Sequence, residues 1–140
     1  MKVLFLCTGN SCRSQMGEIL LRRLRPDWQA HSAGLEAHGL NPVMLQVMEE
    51  GGKLPADLHS KTLDGLLASG HPLDSFDRVV TLCGDARDRC PVLPSHVLHE
   101  HWGLPDPAKF FGSEREILGH FRRVRDDLSH RMQQWVTLQD

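Results

Sequence analysis

The stretch Val3–Ser14, which reads VLFLCTGNSCRS, decides the fold of this chain. Four apolar residues lead directly to a thiol, and a short polar loop then leads to an arginine. Beyond the arginine, apolar side chains recur at helical spacing, at Met16, Ile19, Leu20 and Leu24. The pattern predicts a strand, a tight loop and a helix. Because the N–H groups of such a loop and a helix N-terminus attract anions, we expect an oxyanion-binding site here.

Cys7 and Arg13 give this loop its chemistry. Cys7 is placed as a nucleophile, because inward-facing N–H groups and a nearby guanidinium favour the reactive thiolate. Arg13 carries a permanent charge on a planar fork that can hold two oxygens of the anion, and Ser14 is placed to donate a hydrogen bond to the thiolate. The predicted oxyanion-binding set is Thr8, Gly9, Asn10, Ser11, Cys12 and Arg13.

Two features of the loop support this interpretation. Gly9 and Asn10 tolerate the positive φ that a tight loop needs. Cys12 is interpreted as a small side chain that packs beneath the loop. The alternative is that Cys7 is a buried structural cysteine and Arg13 lies on a solvated helix, but the strand before the loop and the helix after it argue against this.

The composition excludes several classes of protein. The chain has 140 residues, which predicts a single domain over residues 1–140. A net charge of −2 argues against a general nucleic-acid binder. Since no apolar run approaches the ~20 residues of a membrane span and no signal peptide is recognisable, we expect a cytoplasmic protein without a membrane partner. In that compartment the four cysteines are expected to be reduced, and we expect a monomer.

The rest of the chain alternates strands with helices. Strands are predicted over 28–32, over 78–82 and around Val97-Leu98. Helices are predicted after Asn41-Pro42, after Ser60 as a capping residue, and after Ser113, where Glu116 completes a capping box. The alternation predicts an α/β fold with three αβα layers and a parallel sheet. Because ligands bind beyond the carboxyl ends of such strands, Cys7, Cys83 and Asp106 are expected to converge at one edge.

Cys83 and Cys90 form a second cysteine pair with six residues between them. That spacing is too wide for a zinc knuckle and suits reversible disulfide formation. If the segment were helical, the two residues would be about 10 Å apart along the axis, whereas a disulfide needs Cα atoms within ~7 Å. Oxidation would then have to unwind the segment, as in a redox switch. Two unrelated buried thiols remain the alternative.

Asp106 and the histidines leave alternatives open. Prolines on both sides of Asp106 stiffen its backbone, which suits a general acid but also a simple turn. His99 and His101 share a strand face, which makes a metal pair conceivable. Without further ligands at suitable spacing, we interpret them as surface histidines.

Taken together, four segments carry a resemblance to a known family: 7–18 (CTGNSCRSQMGE), 31–34 (HSAG), 79–91 and 102–108 (WGLPDPA). In order and over nearly the whole chain, they resemble the thioredoxin-coupled arsenate reductases. That family shares the low-molecular-weight protein tyrosine phosphatase fold, with four parallel strands flanked by helices. The resemblance thus implies the same fold here.

The resemblance implies a relay of three thiols. Cys7 would attack arsenate while Asp106 protonates the departing oxygen. Cys83 would then attack Cys7 and release arsenite, and Cys90 would resolve the Cys7–Cys83 disulfide. Thioredoxin would reduce the final Cys83–Cys90 disulfide. No tightly bound cofactor is implied, but some members bind a potassium ion, through positions that match Asn10, Glu18, Ser32, Thr62 and Asp64.

Two rival functions remain open. A tyrosine phosphatase needs only Cys7, Arg13 and Asp106, and leaves the second thiol pair unexplained. The chain contains no tyrosine, the residue with which such phosphatases usually grip a phenyl ring, although Phe110 and Phe111 are partial substitutes; a weak phosphatase side activity is therefore expected. A non-catalytic arsenite binder with three thiol ligands is the second rival.

Overall fold

A computed structural model describes residues 1–139. The predicted domain runs to Asp140, which lies outside the described residues. Four strands, five α-helices and two short 3₁₀ turns alternate along this part of the chain. The strands are β1 (Lys2–Cys7), β2 (Gln29–Gly34), β3 (Arg78–Thr81) and β4 (Leu98–His101). The helices are α1 (Arg13–Leu24), α2 (Pro42–Glu49), α3 (Leu63–Ala68), α4 (Gly84–Asp88) and α5 (Glu114–Leu138).

The strands form one sheet in the order β2-β1-β3-β4, and every neighbouring pair is parallel. Cys7 pairs with Gly34 of β2, and Leu6 pairs with Thr81 of β3. This register brings the carboxyl ends of the three strands level with one another. The loops that leave β1 and β3 therefore open onto the same edge of the sheet.

Each face of the sheet is covered by its own hydrophobic cluster. Val3 and Phe5 of β1 belong to a cluster with residues of α1, α2 and α5, which we call the first cluster. Leu4 and Leu6, which alternate with them, belong to a second cluster with α3 and α4. The alternation follows from the two-residue period of a strand. The predicted three-layer fold with a four-stranded parallel sheet is thus confirmed.

The helix caps confirm two predictions and correct a third. Asn41 accepts hydrogen bonds from the backbone of Val43 and Met44 at the start of α2, and α5 begins with the predicted capping box of Ser113 and Glu116. The prediction that Ser60 caps α3 was wrong. Thr62 caps that helix by accepting from Gly65 N, whereas the Ser60 hydroxyl donates to the carbonyl of Gly9.

The strand ends also differ from the predicted ones. β2 extends to Gly34 rather than ending at Ser32, because Ala33 and Gly34 pair with the last two residues of β1. β3 ends at Thr81, one residue earlier than predicted. Among residues 1–139, no helix is both long and apolar enough to cross a membrane.

Candidate active site

The loop between β1 and α1 is hydrogen-bonded along its backbone to the segment that follows β2. The carbonyl oxygens of Thr8 and Gly9 accept hydrogen bonds from the backbone of Glu36 (2.8 Å) and His38 (2.9 Å). In a trans peptide the N–H points opposite to the C=O. The next N–H groups of the loop are therefore turned away from this segment. Asn10, at φ +48°, makes the tight bend that Asn tolerates well.

Cys7 is buried at the end of β1, and its Sγ lies 2.8 Å from Ser14 Oγ. The neighbours of Ser14 decide which atom donates. Asn10 Nδ2 donates to Ser14 Oγ at 2.8 Å, because Asn10 Oδ1 faces the N–H donors of Lys61 and Gln15. The hydroxyl hydrogen of Ser14 is thus free to be donated to Cys7. The side chains of Asn10 and Ser14 together hold a hydrogen-bond donor against the sulfur.

Arg13 and Asp106 lie next to each other in the lining of the site. The Arg13 guanidinium donates to the carbonyl oxygen of Leu104 at 3.1 Å, and its Nη2 is 3.7 Å from Asp106 Oδ2. Asp106 also accepts a hydrogen bond from Ala108 N at 3.0 Å, which fixes the carboxyl group within its Pro-flanked turn. Arg13 is nearly buried, whereas a quarter of the Asp106 side chain is exposed. The carboxyl group is thus accessible to a ligand of the loop.

Cys83 reaches the same site from the end of β3. Its Sγ is 3.3 Å from the Oγ1 of Thr8, which follows Cys7 in the chain. The same sulfur caps α4 by accepting a hydrogen bond from Ala86 N at 3.4 Å. A cleft of about 610 Å³ is lined by Cys7, Thr8, Gly9, Ser11, Cys12, Arg13, His38, Cys83, Gly84, Asp85, Asp106, Ala108 and Lys109. The structure therefore brings Cys7, Cys12, Cys83, the arginine and the carboxyl group around one cleft.

Cys90 and Cys12 occupy different surroundings. Cys90 is half-buried beyond α4 and packs against the second cluster, to which Cys7 and Cys83 also belong. Burial raises the pKa of its thiol. Cys12 belongs to the first cluster on the other face, and burial raises the pKa of its thiol to about 11. Three of the four thiols therefore pack with the second cluster, whereas Cys12 packs with the first cluster and also lines the cleft.

His38 is a residue of the cleft that the sequence did not indicate. Its imidazole lies directly over Gly9, so that a Cβ on Gly9 would come within 2.3 Å of the ring. Its Nε2 is 2.6 Å from Glu36 Oε2. Glycine at position 9 therefore makes room for the His38 ring, which a Cβ would contact. Nothing in the local pattern around position 38 indicates this contact, which depends on the long-range pairing of the segment with the loop.

The two histidines of β4, His99 and His101, both lie within hydrogen-bond distance of the Thr81 hydroxyl. Thr81 Oγ1 lies 2.9 Å from both His99 Nε2 and His101 Nδ1. Burial, and then the neighbouring His101, lowers the pKa of His99. Within residues 1–139, no group of three or more His, Cys, Asp and Glu side chains is arranged to hold a metal ion.

The five residues expected to bind potassium are only partly gathered. Ser32 donates to the buried Glu18 carboxylate at 2.8 Å, behind the loop. Thr62 instead caps α3, and Asp64 is exposed in the first turn of that helix. Asn10 Oδ1 already accepts two hydrogen bonds. The donor set as it stands does not suit an alkali cation, and the potassium ion stays a prediction.

The fold and the site together define a class of protein. The sequence pattern of the low molecular weight phosphotyrosine protein phosphatases matches residues 2–139, and the chain belongs to that family. Several of its relatives are arsenate reductases. The arsenate reductase of Bacillus subtilis (strain 168) is 47% identical over 135 residues, which cover 96% of this chain and 94% of that protein.

Solved structures of arsenate reductases are also similar to this chain. An arsenate reductase in its phosphate-binding state has a TM-score of 0.72 and 30% identity, covering 97% of this chain and 96% of that one. The thioredoxin-dependent arsenate reductase of Corynebacterium glutamicum has a TM-score of 0.63 and 28% identity, covering 94% of this chain and 61% of that one. The resemblance to the arsenate reductases, first seen in the cysteine motifs, is confirmed.

Proposed function

We propose that this protein reduces arsenate to arsenite through Cys7, Cys83 and Cys90 in turn. The observation that carries the proposal is the position of Cys83, whose thiol opens onto the same cleft as Cys7 and lies 3.3 Å from the hydroxyl of Thr8. A hydrolytic phosphatase has no use for a second thiol at that place. The 47% identity to a Bacillus subtilis arsenate reductase supports the same conclusion.

The first step is an attack of Cys7 on the arsenic of a bound arsenate. The loop N–H groups and the Arg13 guanidinium hold the oxyanion, because both supply donors and positive charge. The Ser14 hydroxyl stabilises the attacking thiolate. A new S–As bond forms, an As–O bond breaks, and Asp106 gives its proton to the departing oxygen, which leaves as water.

The second step transfers two electrons to arsenic. The Cys83 thiolate attacks Cys7 Sγ, and the electron pair of the S–As bond moves to arsenic. Arsenic(V) becomes arsenic(III) and leaves as arsenite, while the two sulfurs are oxidised to a Cys7–Cys83 disulfide. The reaction requires no other reductant at this stage, since the two thiols supply both electrons.

The third step restores Cys7. Cys90 attacks Cys83 Sγ, which frees the Cys7 thiol and leaves a Cys83–Cys90 disulfide. Burial raises the pKa of Cys90, so its thiol is a weak nucleophile in the folded segment. Unwinding of α4 would expose the thiol and allow the attack. A dithiol protein then reduces the disulfide. The Corynebacterium glutamicum relative is thioredoxin-dependent, and we propose thioredoxin here also.

The proposal has two consequences for the cellular setting. The relay needs its thiols reduced between turnovers, which a cytoplasmic location supplies. One chain contains all three cysteines, so the reaction requires only a monomer. The expected role is arsenic detoxification.

A phosphatase activity is the second candidate, since Cys7, Arg13 and Asp106 have the arrangement that phosphate-ester cleavage also needs. An aryl phosphate would form a phosphocysteine at Cys7, and water would hydrolyse it without Cys83 or Cys90. We expect a weak activity, because Phe110 stacks on His120, Phe111 is 95% exposed, and neither residue lines the cleft.

The test compares Cys7→Ser, Cys83→Ser and Cys90→Ser, with Ser129→Ala in α5, which lies outside the cleft, as the control. Each protein is assayed for arsenite release with thioredoxin, thioredoxin reductase and NADPH, and for hydrolysis of p-nitrophenyl phosphate. Cys7→Ser is expected to lose both activities. Cys83→Ser should release no arsenite, and Cys90→Ser should release about one arsenite per protein and then stop. Both should keep the phosphatase activity, which shows that they are folded.

The outcome that contradicts the relay is full multiple-turnover arsenite release by Cys83→Ser and Cys90→Ser. Phosphatase turnover without any arsenate reduction would favour the phosphatase. Stoichiometric binding of arsenite without either activity would favour the non-catalytic arsenite binder.

A further inference from the structure

A buried carboxylate behind the oxyanion loop is held by two cationic side chains. Glu18 of α1 is only 3% exposed. Arg22 Nη2 lies 3.0 Å from its Oε2, and Lys61 Nζ lies 3.7 Å from its Oε1. Arg22 is shared with Asp57, whose carboxylate it contacts at 2.8 Å. Two carboxylates and two cations thus form a balanced cluster.

Lys61 also joins this cluster to the oxyanion loop. Its backbone N–H donates to Asn10 Oδ1 at 3.0 Å, and its ammonium donates to the carbonyl oxygen of His59 at 3.1 Å. The neighbouring Ser60 hydroxyl donates to Gly9 O, and Gln15 donates to His59 O. We call residues 59–61 the strap. The strap is therefore fastened to both the loop and α1.

The oxygens around Glu18 leave little room for a separate cation. The amide oxygen of Asn10 has two lone pairs, and hydrogen bonds from Gln15 Nε2 and Lys61 N use both. Among residues 1–139, Gln15 Oε1 is the only buried side-chain nitrogen or oxygen without a hydrogen-bond partner. One free oxygen does not make a cation site.

The charge balance around Glu18 also argues against a separate cation. Burying Glu18 is unfavourable unless a cation compensates it. The side chain of Lys61 is only 14% exposed, so its ammonium lies in the interior beside Glu18. A further cation would add unbalanced charge to a cluster that is already neutral.

We propose that Lys61 is the resident cation of this site: its ammonium neutralises Glu18 and holds the strap against the loop, so that the loop needs no bound alkali cation. Lys61 is a positioning residue, since it acts on Cys7 only through Asn10 and Ser14. The inference goes beyond arsenate reduction, because it concerns the integrity of an oxyanion loop whatever its substrate.

The experiment measures the thermal unfolding midpoint of the full chain in potassium, sodium and tetramethylammonium chloride at equal ionic strength. The natural protein should unfold within about 1 °C in all three salts. Lys61→Gln should unfold about 5–10 °C lower in tetramethylammonium chloride, because it leaves Glu18 with half of its compensation. Potassium chloride should recover at least about half of that loss. Lys61→Arg should keep the insensitivity to salt, and Lys53→Gln is the control for loss of an exposed lysine.

A second readout is the affinity for inorganic phosphate. In Lys61→Gln we expect several-fold weaker binding in tetramethylammonium chloride than in potassium chloride, and no such difference in the natural protein. Saturable, potassium-specific stabilisation of the natural protein would overturn the proposal. So would a Lys61→Gln protein that responds equally to the three salts. If Lys61→Gln does not fold, the natural protein and Lys61→Arg still decide. None of these measurements uses arsenate, so a failed relay would not affect them.

Discussion

Replacing Ser14 with alanine tests the hydrogen bond that holds the reactive sulfur. In the natural protein, Asn10 Nδ2 occupies an acceptor lone pair of Ser14, which leaves the hydroxyl hydrogen for Cys7 at 2.8 Å. A hydrogen bond to a charged group contributes about 1.5–3 kcal/mol. Since 1.4 kcal/mol corresponds to a tenfold change, loss of this hydrogen bond favours the neutral thiol over the thiolate, and Ser14→Ala should slow the reaction of Cys7 about 10- to 100-fold.

The same substitution has a separate effect on stability. Alanine leaves the buried Asn10 amide without the acceptor that it now has, and an unsatisfied buried donor costs about 1–3 kcal/mol. Reactivity and stability must therefore be measured separately. We propose alkylation of Cys7 by iodoacetamide at neutral pH, followed by mass spectrometry of the peptide, beside urea unfolding of the same protein. Ser129→Ala, a half-buried serine of α5 outside the cleft, is the matched control.

The two measurements separate a chemical role from a packing role. If the hydroxyl stabilises the thiolate, alkylation of Cys7 slows in Ser14→Ala and stays unchanged in Ser129→Ala. If Ser14→Ala loses stability but alkylates within about twofold of the natural rate, the donor assignment is refuted, and Ser14 merely fills space beside the sulfur.

Three further predictions concern other residues of the site and the sheet. Asp106→Asn keeps an acceptor for Ala108 N but loses the proton donor, so arsenite release should fall about 10²- to 10⁴-fold with little change in the unfolding midpoint; an unchanged rate would remove Asp106 from the chemistry. Cys12→Ser should keep arsenite release within about threefold and lose about 1–2 kcal/mol of stability, because the hydroxyl enters an apolar cluster; loss of activity in a folded protein would give Cys12 a role in the relay. Burial, and then His71, lowers the pKa of His31 to about 4, so the unfolded chain binds a proton first as the pH falls below about 6.5. Stability should therefore decline between about pH 6.5 and 4, by about 1–2 kcal/mol after allowance for partial exposure. His31→Asn should flatten that part of the profile in urea unfolding, and an unaltered slope would contradict the assignment.

Much of the fold was predictable because its signals are local. The apolar run before Cys7 and the caps at Asn41 and Ser113 each act within a few residues of their own position. The meeting of Cys7 and Cys83 followed from one rule of parallel sheets, which needs only the order of strands and helices. Periodicity and capping were therefore sufficient for the architecture and for the main residues of the cleft.

The parts that sequence reasoning missed depend on contacts between distant segments. Serine is a common helix cap, yet the Ser60 hydroxyl donates its hydrogen bond to the carbonyl oxygen of Gly9, which is 51 positions earlier in the chain. Thr62 then caps α3 in its place. His38 reaches the cleft because the segment after β2 continues beside the loop. No local pattern records such pairings, since they depend on the folded sheet.

The cap of α4 has a consequence for how the protein changes shape. The sulfur of Cys83 is both the acceptor that starts this helix and the atom that would be oxidised in the relay. Once that sulfur is bonded to another sulfur, it is held by covalent geometry and can no longer serve Ala86 in the same position. A helix of five residues has little stability of its own. Under the proposed relay, the oxidation state of one atom would therefore decide whether this segment is a helix, and the reductant would recognise a loss of local order rather than a new contact.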